Sequence, residues 1–399
     1  MTSDLLLRNI RPMGKTPADA LLSGGKIAAI AANLIAPPGC VIEDCAGMLL
    51  LPGLVEAHTH LDKSLWGMPY HPNVAGPRLI DKIDNERRLK RDWDIDPERQ
   101  SARQVIQSVR MGTTHIRSHV DIDTDHGLWG IEGVMATQKK YRDIVTMDIV
   151  AFPQSGILRR PGTADLMDAA LALGAEHVGG IDPCGIDRDP KGHLDIVFGL
   201  AQKHGRPVDI HLHETGEMGA FSMDLIIERT TALGMHGKVT ISHAFCLGHP
   251  DRDLIDPLID ALAKLDIAIM TTGPAARPSP PVRRLVERGI RVCAGSDGIR
   301  DTWGPYGNAD MLERAMFVGQ RNNFRRDEDV EIAFAVCTTG GAAVMRLENY
   351  GLTPGCTADL LILPGATITD AVVTRPPRAF VIKHGRIVAR DGVALVDAP

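Results

Sequence analysis

Short apolar runs alternate with amphipathic stretches through the middle of the chain. Eight runs rich in aliphatic and β-branched residues stand at 53–62, 115–121, 147–154, 178–182, 208–214, 239–244, 267–272 and 292–297. Stretches with helical spacing separate most of them. The clearest is 164–174, which closes on Gly174 as a helix does. Strands alternating with helices predict a parallel sheet with crossover helices. Eight such units predict an α/β fold of the (β/α)8, TIM-barrel type. The chain ends read differently. Two short apolar runs, 5–11 and 19–30, the second broken by Gly24-Gly25, carry a hairpin signal. The runs 358–363 and 379–389 have the same character, and Lys383-His384-Gly385-Arg386-Ile387 echoes Ser23-Gly24-Gly25-Lys26-Ile27. Both ends are therefore expected to build one small β-sandwich domain, 1–52 with 350–399. The barrel, 53–349, is expected to be inserted into it.

Composition narrows the function. The chain has 399 residues, which leaves room beyond the roughly 250 of a barrel for a second unit. Apolar residues make up 44%, enough for a large core. The net charge is −6 and no basic stripe stands out, so no nucleic-acid partner is expected. The densest cationic stretch, Glu86-Arg87-Arg88-Leu89-Lys90-Arg91, is mixed in sign and reads as a solvated helix face. No uninterrupted apolar run reaches the roughly 18 residues of a membrane helix. The first residues lack the basic start of a secretory signal. Seven cysteines, an odd number with no C-x-x-C pair, fit a reduced cytoplasmic protein.

In a barrel of this kind active sites form at the C-terminal strand ends. His, Asp, Glu and Gln fall there. Run one ends His58-Thr59-His60-Leu61-Asp62, run two His119-Val120-Asp121 and run three Phe152-Pro153-Gln154. Run five ends His211-Leu212-His213-Glu214, run six Ser242-His243-Ala244 and run eight Gly295-Ser296-Asp297. Residues i and i+2 of a strand point the same way. His58 and His60 can therefore bring two imidazoles into one barrel mouth. On its own that pair could be two polar residues at a strand end. With His211 and Asp297 it becomes a candidate ligand set for zinc or a similar ion, with a position open for acidified water. His213 alternates with His211 and is the nearby competitor. Run four, 178–182, supplies no lysine to bridge two ions, so one metal is expected. Asp121, Asp123, Asp125 and Glu132 mimic an EF-hand spacing. The glycine position holds His126 and the segment follows a strand, which argues against calcium.

Six separated motifs occur in order. They are Pro52-Gly53-Leu54-Val55-Glu56-Ala57-His58-Thr59-His60-Leu61-Asp62-Lys63, Ser118-His119-Val120-Asp121, Ala151-Phe152-Pro153-Gln154-Ser155-Gly156, Asp209-Ile210-His211-Leu212-His213-Glu214, Ile241-Ser242-His243-Ala244 and Gly295-Ser296-Asp297. Together they resemble the cytosine deaminase branch of the amidohydrolase superfamily, next to N-isopropylammelide amidohydrolases. The resemblance implies one divalent ion, Zn2+ or Fe2+, on His58, His60, His211 and Asp297. It implies that Glu214 shuttles protons and that His243 holds the attacking oxygen. Gln154 matches a glutamine that bonds the ring amide; with the loop Arg300-Asp301-Thr302-Trp303 it is expected to read the heterocycle, Trp303 either stacking on the ring or packing the rim. The implied reaction is hydrolytic deamination of an amino-substituted N-heterocycle such as cytosine or 5-methylcytosine. The same ligands would also serve removal of an alkylamine from a triazine, or opening of a cyclic amide. The resemblance is compatible with a homo-oligomer.

The chain departs from that pattern beside Asp297. Cytosine deaminase carries there a second Asp that contacts the substrate; this chain has Gly298, preceded by Ser296 where the pattern has His. An altered pocket is expected, with cytosine itself in doubt.

Overall fold

The computed structural model describes residues 4–396. Five strands come first: β1 (Leu5–Pro12), β2 (Ala18–Ser23), β3 (Lys26–Ala31), β4 (Val41–Asp44) and β5 (Leu49–Pro52). Eight more follow: β6 (Leu54–Thr59), β7 (Thr113–Asp121), β8 (Thr146–Phe152), β9 (His177–Ile181), β10 (Val208–His211), β11 (Val239–Ser242), β12 (Ala268–Thr271) and β13 (Val292–Ala294). They pair in sequence order, all parallel, into the barrel sheet. The last four are β14 (Leu360–Leu363), β15 (Phe380–Lys383), β16 (Arg386–Arg390) and β17 (Val393–Ala394). They run on from the first five as one mixed nine-stranded sheet, joined where β14 lies antiparallel to β5. The chain ends thus build a sheet of their own beside an eight-stranded barrel.

The eight runs and the eight strands correspond, but the strands stop earlier. β10 ends at His211, β11 at Ser242 and β13 at Ala294, so Glu214, His243 and Asp297 lie on the turns beyond. Left-handed backbone ends two of these strands: φ is 69° at His243 and 62° at Asp297. The alternation of a strand therefore does not set the direction of those side chains. Helices cover the barrel by burying one stripe. Pro97–Arg110 begins at Asp96, whose carboxylate accepts the Arg99 amide at 2.7 Å, and buries Val105, Ile106 and Val109.

The barrel closes between β6 and the segment after β13. The Asp297 amide donates to the His58 carbonyl at 2.9 Å, and Thr59 Oγ1 donates to the Asp297 carbonyl at 2.9 Å. Gly295 makes this approach possible: a Cβ there would stand 2.4 Å from the His58 carbonyl oxygen. Below, the buried Glu56 carboxylate accepts the Ser296 amide at 2.8 Å. Burial pushes Glu56 up to about 7, against the pull of its Ser296 bonds and Arg314. Arg314 donates to the carbonyls of Thr272 (2.5 Å) and Ser296 (3.2 Å), tying the loops of β12 and β13 together.

A buried polar cluster joins the outer sheet to the barrel. Lys383 donates to Asp359 at 2.7 Å and to His115 Nε2 at 3.3 Å, while His115 Nδ1 meets Thr114 Oγ1 at 2.9 Å. Lys383 has no exposed surface, so each of its bonds replaces lost hydration.

Two outcomes are expected. Gly295→Ala should strain the seam and lower stability by about 1–3 kcal/mol, read as a lower urea midpoint at unchanged slope. His115 should make the fold acid-sensitive. Burial and the Lys383 charge hold it at about 3 in the folded chain, against 6.5 when free. Between these values the unfolded chain binds a proton that the folded chain refuses. Stability then falls on acidification through this window, by up to about 1.4 kcal/mol per pH unit from this group. His115→Gln should flatten that part of the stability–pH curve in urea titrations.

Candidate metal centre and active site

The C-terminal ends of β6 and β10 and the turns after β11 and β13 converge on one point. His60 Nε2 lies 3.4 Å from His211 Nε2 and 3.1 Å from Asp297 Oδ1. His58 Nε2 lies 3.7 Å from the same Asp297 oxygen. His58, His211, His243 and Asp297 each offer one atom within 4.8 Å of the others. Phe152, at the end of β8, stacks on the His211 ring at 4.0 Å and holds it in place.

These residues fit a divalent ion. The Nε2 atoms of His58 and His243 are buried and have no hydrogen-bond partner. The facing Nε2 atoms of His60 and His211 stand at the separation of two nitrogens on one tetrahedral zinc, about 3.3–3.4 Å for bonds of about 2.0–2.1 Å. Protonation agrees. Burial lowers the pKa of His58, and burial together with neighbouring imidazoles takes His211 and His243 well below the usual value. Burial alone would raise Asp297, but the surrounding histidines hold it well below the ordinary carboxylate range. Neutral imidazoles around a carboxylate are the protonation state that a metal requires.

A cavity of about 730 Å³ opens above this point, within the usual range of about 300–1,000 Å³ for small-molecule sites. His60, Gln154, His211, Asp297, Gly298 and Trp303 line it. His58, Glu214 and His243 lie behind its wall. Glu214 accepts the Gly185 amide at 2.7 Å and the Ser222 hydroxyl, and burial raises its pKa. His213, the competitor of His211, faces the cavity with Nδ1 held by Asp182 at 2.7 Å and its ring stacked on His243 at 4.3 Å. Burial would lower its pKa, but Asp182 more than offsets this and raises it. Trp303 packs beside Leu79 and Ile80, with Lys63 and Lys82 each under 6 Å from its ring (5.6 and 5.7 Å).

Of two further polar cavity residues, Lys63 had no role in the sequence reading and Asp301 stood there only within the ring-reading loop 300–303. Lys63, inside the first motif, is buried and donates to Gln154 Oε1 at 2.7 Å, Asp121 at 3.1 Å and Glu86 at 3.2 Å. An ammonium only donates, so it fixes the glutamine: Oε1 is bound to Lys63 and the amide NH2 remains for a ligand. The second is Asp301. Its Oδ1 accepts the amides of Trp303 (2.8 Å) and Gly304 (3.0 Å). Its Oδ2 lies over Gly298, only 1.8 Å from where a Cβ would stand. The gap expected beside Asp297 is therefore filled by a carboxylate from further along the loop. Three of the four EF-hand-like acids are matched from within the chain, Asp121 by Lys63 and Lys90, Asp123 and Asp125 by Arg87. That spacing serves ion pairs to the helix Leu79–Asp92.

Residues 41–389 match the amidohydrolase family. N-isopropylammelide isopropyl amidohydrolase of Pseudomonas sp. (strain ADP) is 31% identical, with 98% of each chain covered. The crystal structure of N-isopropylammelide isopropylaminohydrolase from Burkholderia multivorans ATCC 17616 gives a TM-score of 0.96 at 48% identity, covering 99% of this chain and 100% of that one. The structure of 5-methylcytosine deaminase from Klebsiella pneumoniae, liganded with 5-fluorocytosine, gives 0.85 at 27% identity, covering 98% of this chain and 99% of that one. A family match over most of the length, with relatives aligned nearly end to end, accords with the converging histidines: this chain belongs to the amidohydrolase family, hydrolases that act on C–N bonds.

Proposed function

We propose that the protein hydrolyses the exocyclic C–N bond of an N-alkylamino s-triazine bearing ring oxo groups, N-isopropylammelide or a near analogue. Deamination of 5-methylcytosine or cytosine is the second reading, supported by the relative at 27% identity. The triazine reading is supported by the relatives at 31% and 48% identity that carry that substrate in their names. The observation that carries it is the apolar surface that Pro274, Ala275 and Phe317 lend the cavity, which an N-alkyl group would cover and a bare amino group would not, while the Lys63–Gln154 pair sets the ring edge. Gln154 offers the cavity only its NH2, a donor that needs a ring carbonyl. Asp301 offers the same cavity an acceptor, which needs a ring N–H. A lactam edge supplies both, and a dioxo-triazine has more than one such edge. Lys82, Arg314 and Arg321 add further donors to the lining, while Pro274, Ala275 and Phe317 offer apolar surface to an alkyl group.

His58, His60, His211 and Asp297 would hold one divalent ion, Zn2+ or Fe2+. Bound there, it supplies Lewis acidity and water acidified to a pKa near 7. Asp297 accepts the proton of the attacking water at a carboxylate oxygen. His243, neutral and buried, is placed to orient that water. Glu214, whose burial strengthens its hold on a proton, is assigned protonation of the ring nitrogen next to the attacked carbon, a role that requires its carboxyl to turn from Gly185 and Ser222 into the cavity. Water adds to that carbon, the tetrahedral carbon expels the amine with a proton relayed through Asp297, and the remaining hydroxyl proton passes back to Glu214, leaving the ring carbon with its oxygen as a carbonyl. Water and the alkylamino ring thus give an oxo ring and a free alkylamine.

Metal-loaded enzyme given N-isopropylammelide should release isopropylamine, with cytosine and 5-methylcytosine releasing ammonia far more slowly. The opposite ranking would install the deaminase reading. Gln154→Glu turns the donor into an acceptor while keeping the Lys63 contact. It should lower kcat/KM roughly 100-fold, about 3 kcal/mol, at unchanged metal content.

A further inference from the structure

Aliphatic layers usually fill the interior of a (β/α)8 barrel. Beneath this site a polar array crosses it instead. His58 turns Nε2 toward Asp297 and sets Nδ1 on the Ser242 hydroxyl at 3.1 Å. Ser242 Oγ donates to Asp209 Oδ1 at 2.7 Å. Arg117 donates to the other oxygen of Asp209 at 3.2 Å, and its second terminal nitrogen stands 3.5 Å from Asp148. Asp148 lies 3.3 Å from His177 at the opposite end of the barrel. Six different strands contribute, β6, β11, β10, β7, β8 and β9. His58, Ser242, Asp209 and Arg117 are all at most 2% exposed, so protein groups must satisfy one another here.

The protons in this array have one consistent arrangement. Asp209, paired with a guanidinium, is a carboxylate and only accepts. The single proton of Ser242 therefore goes to Asp209. Ser242 Oγ is left as an acceptor toward His58, so His58 Nδ1 carries the hydrogen. A neutral imidazole with Nδ1–H has a bare lone pair on Nε2. We infer that Asp209, acting through Ser242 and anchored by Arg117, is the positioning residue that locks His58 in the Nδ1–H tautomer and keeps Nε2 free to bind metal. The other tautomer would aim an N–H at the metal position and set two lone pairs against each other at Nδ1 and Oγ. His119 packs beside the array: its ring lies 4.0 Å from that of His58, and its Nε2 stands 3.7 Å from the Asp209 oxygen that accepts from Arg117. The inference rests on the metal-site reading for its purpose but not for its geometry.

The test reads the tautomer directly. In 15N NMR of the full chain stripped of metal, the His58 signals, assigned by their loss in His58→Asn, should show a protonated Nδ1 and a bare Nε2. A protonated Nε2 overturns the inference. In metal-loaded protein, Ser242→Ala removes the acceptor but leaves the Asp209–Arg117 pair intact. It should weaken Zn2+ binding about 10–100-fold in competition with a chelator, with the metal-free variant still folded but melting lower, since His58 Nδ1 and Asp209 Oδ1 each lose a buried partner. An unchanged dissociation constant in a folded Ser242→Ala protein also overturns it. Neither readout needs turnover, so a failed triazine assay leaves the test intact. Should the variant fail to fold, the wild-type tautomer alone decides.

Discussion

The Asp297 amide donates to the His58 carbonyl across the barrel seam, and the whole site hangs on that bond. It joins the first barrel strand to the segment after the last, and each end carries a candidate metal ligand. The same contact that closes the barrel thus sets the distance between His58, His60 and Asp297. Gly295 permits it by having no side chain, and Glu56 and Arg314 brace it from below. Left-handed backbone at Asp297 and His243 costs on the order of 1 kcal/mol or more per residue. Packing of the strand ends offsets that cost, and both side chains are turned inward on the same point.

Charge is handled in two layers. Around the metal position burial and neighbouring imidazoles lower the pKa of His58, His211 and His243, and Asp297 is held well below the ordinary carboxylate range. Beside it Lys63 and Lys90 meet Asp62, Asp121 and Glu86 in a buried network. Pairing removes most of the net field of that network, so its effect on a ligand is directional. It fixes which end of Gln154 faces the cavity. In the proposed function, ring specificity would then rest on a hydrogen-bond pattern, a donor at Gln154 and an acceptor at Asp301.

Much of this was legible in the chain before folding. The eight runs became eight strands because barrel strands are mostly apolar on both faces and gather polar residues at their C-terminal ends, with the Arg117–Asp209 array as the exception. His58, His60, His211, His243 and Asp297 could be picked out for that reason. What escaped was set by partners far apart in sequence. Asp209 and Ser242 read as ordinary strand residues until β10 and β11 lie side by side. Lys63 stood in the first motif, but its hold on Gln154 depends on β8 and on the helix Leu79–Asp92. Gly298 read as a missing carboxylate, and only the loop path brings Asp301 over it. The EF-hand spacing misleads for the converse reason: Arg87, Lys63 and Lys90 approach those acids from elsewhere.

The central claim is a single ion held by His58, His60, His211 and Asp297 at the seam. A crystal structure of zinc-loaded protein, with anomalous difference maps collected on both sides of the zinc edge, tests it most directly. The account predicts one anomalous peak per chain, bonded to Nε2 of the three histidines and to Asp297. Two peaks, or one peak away from these side chains, would contradict it.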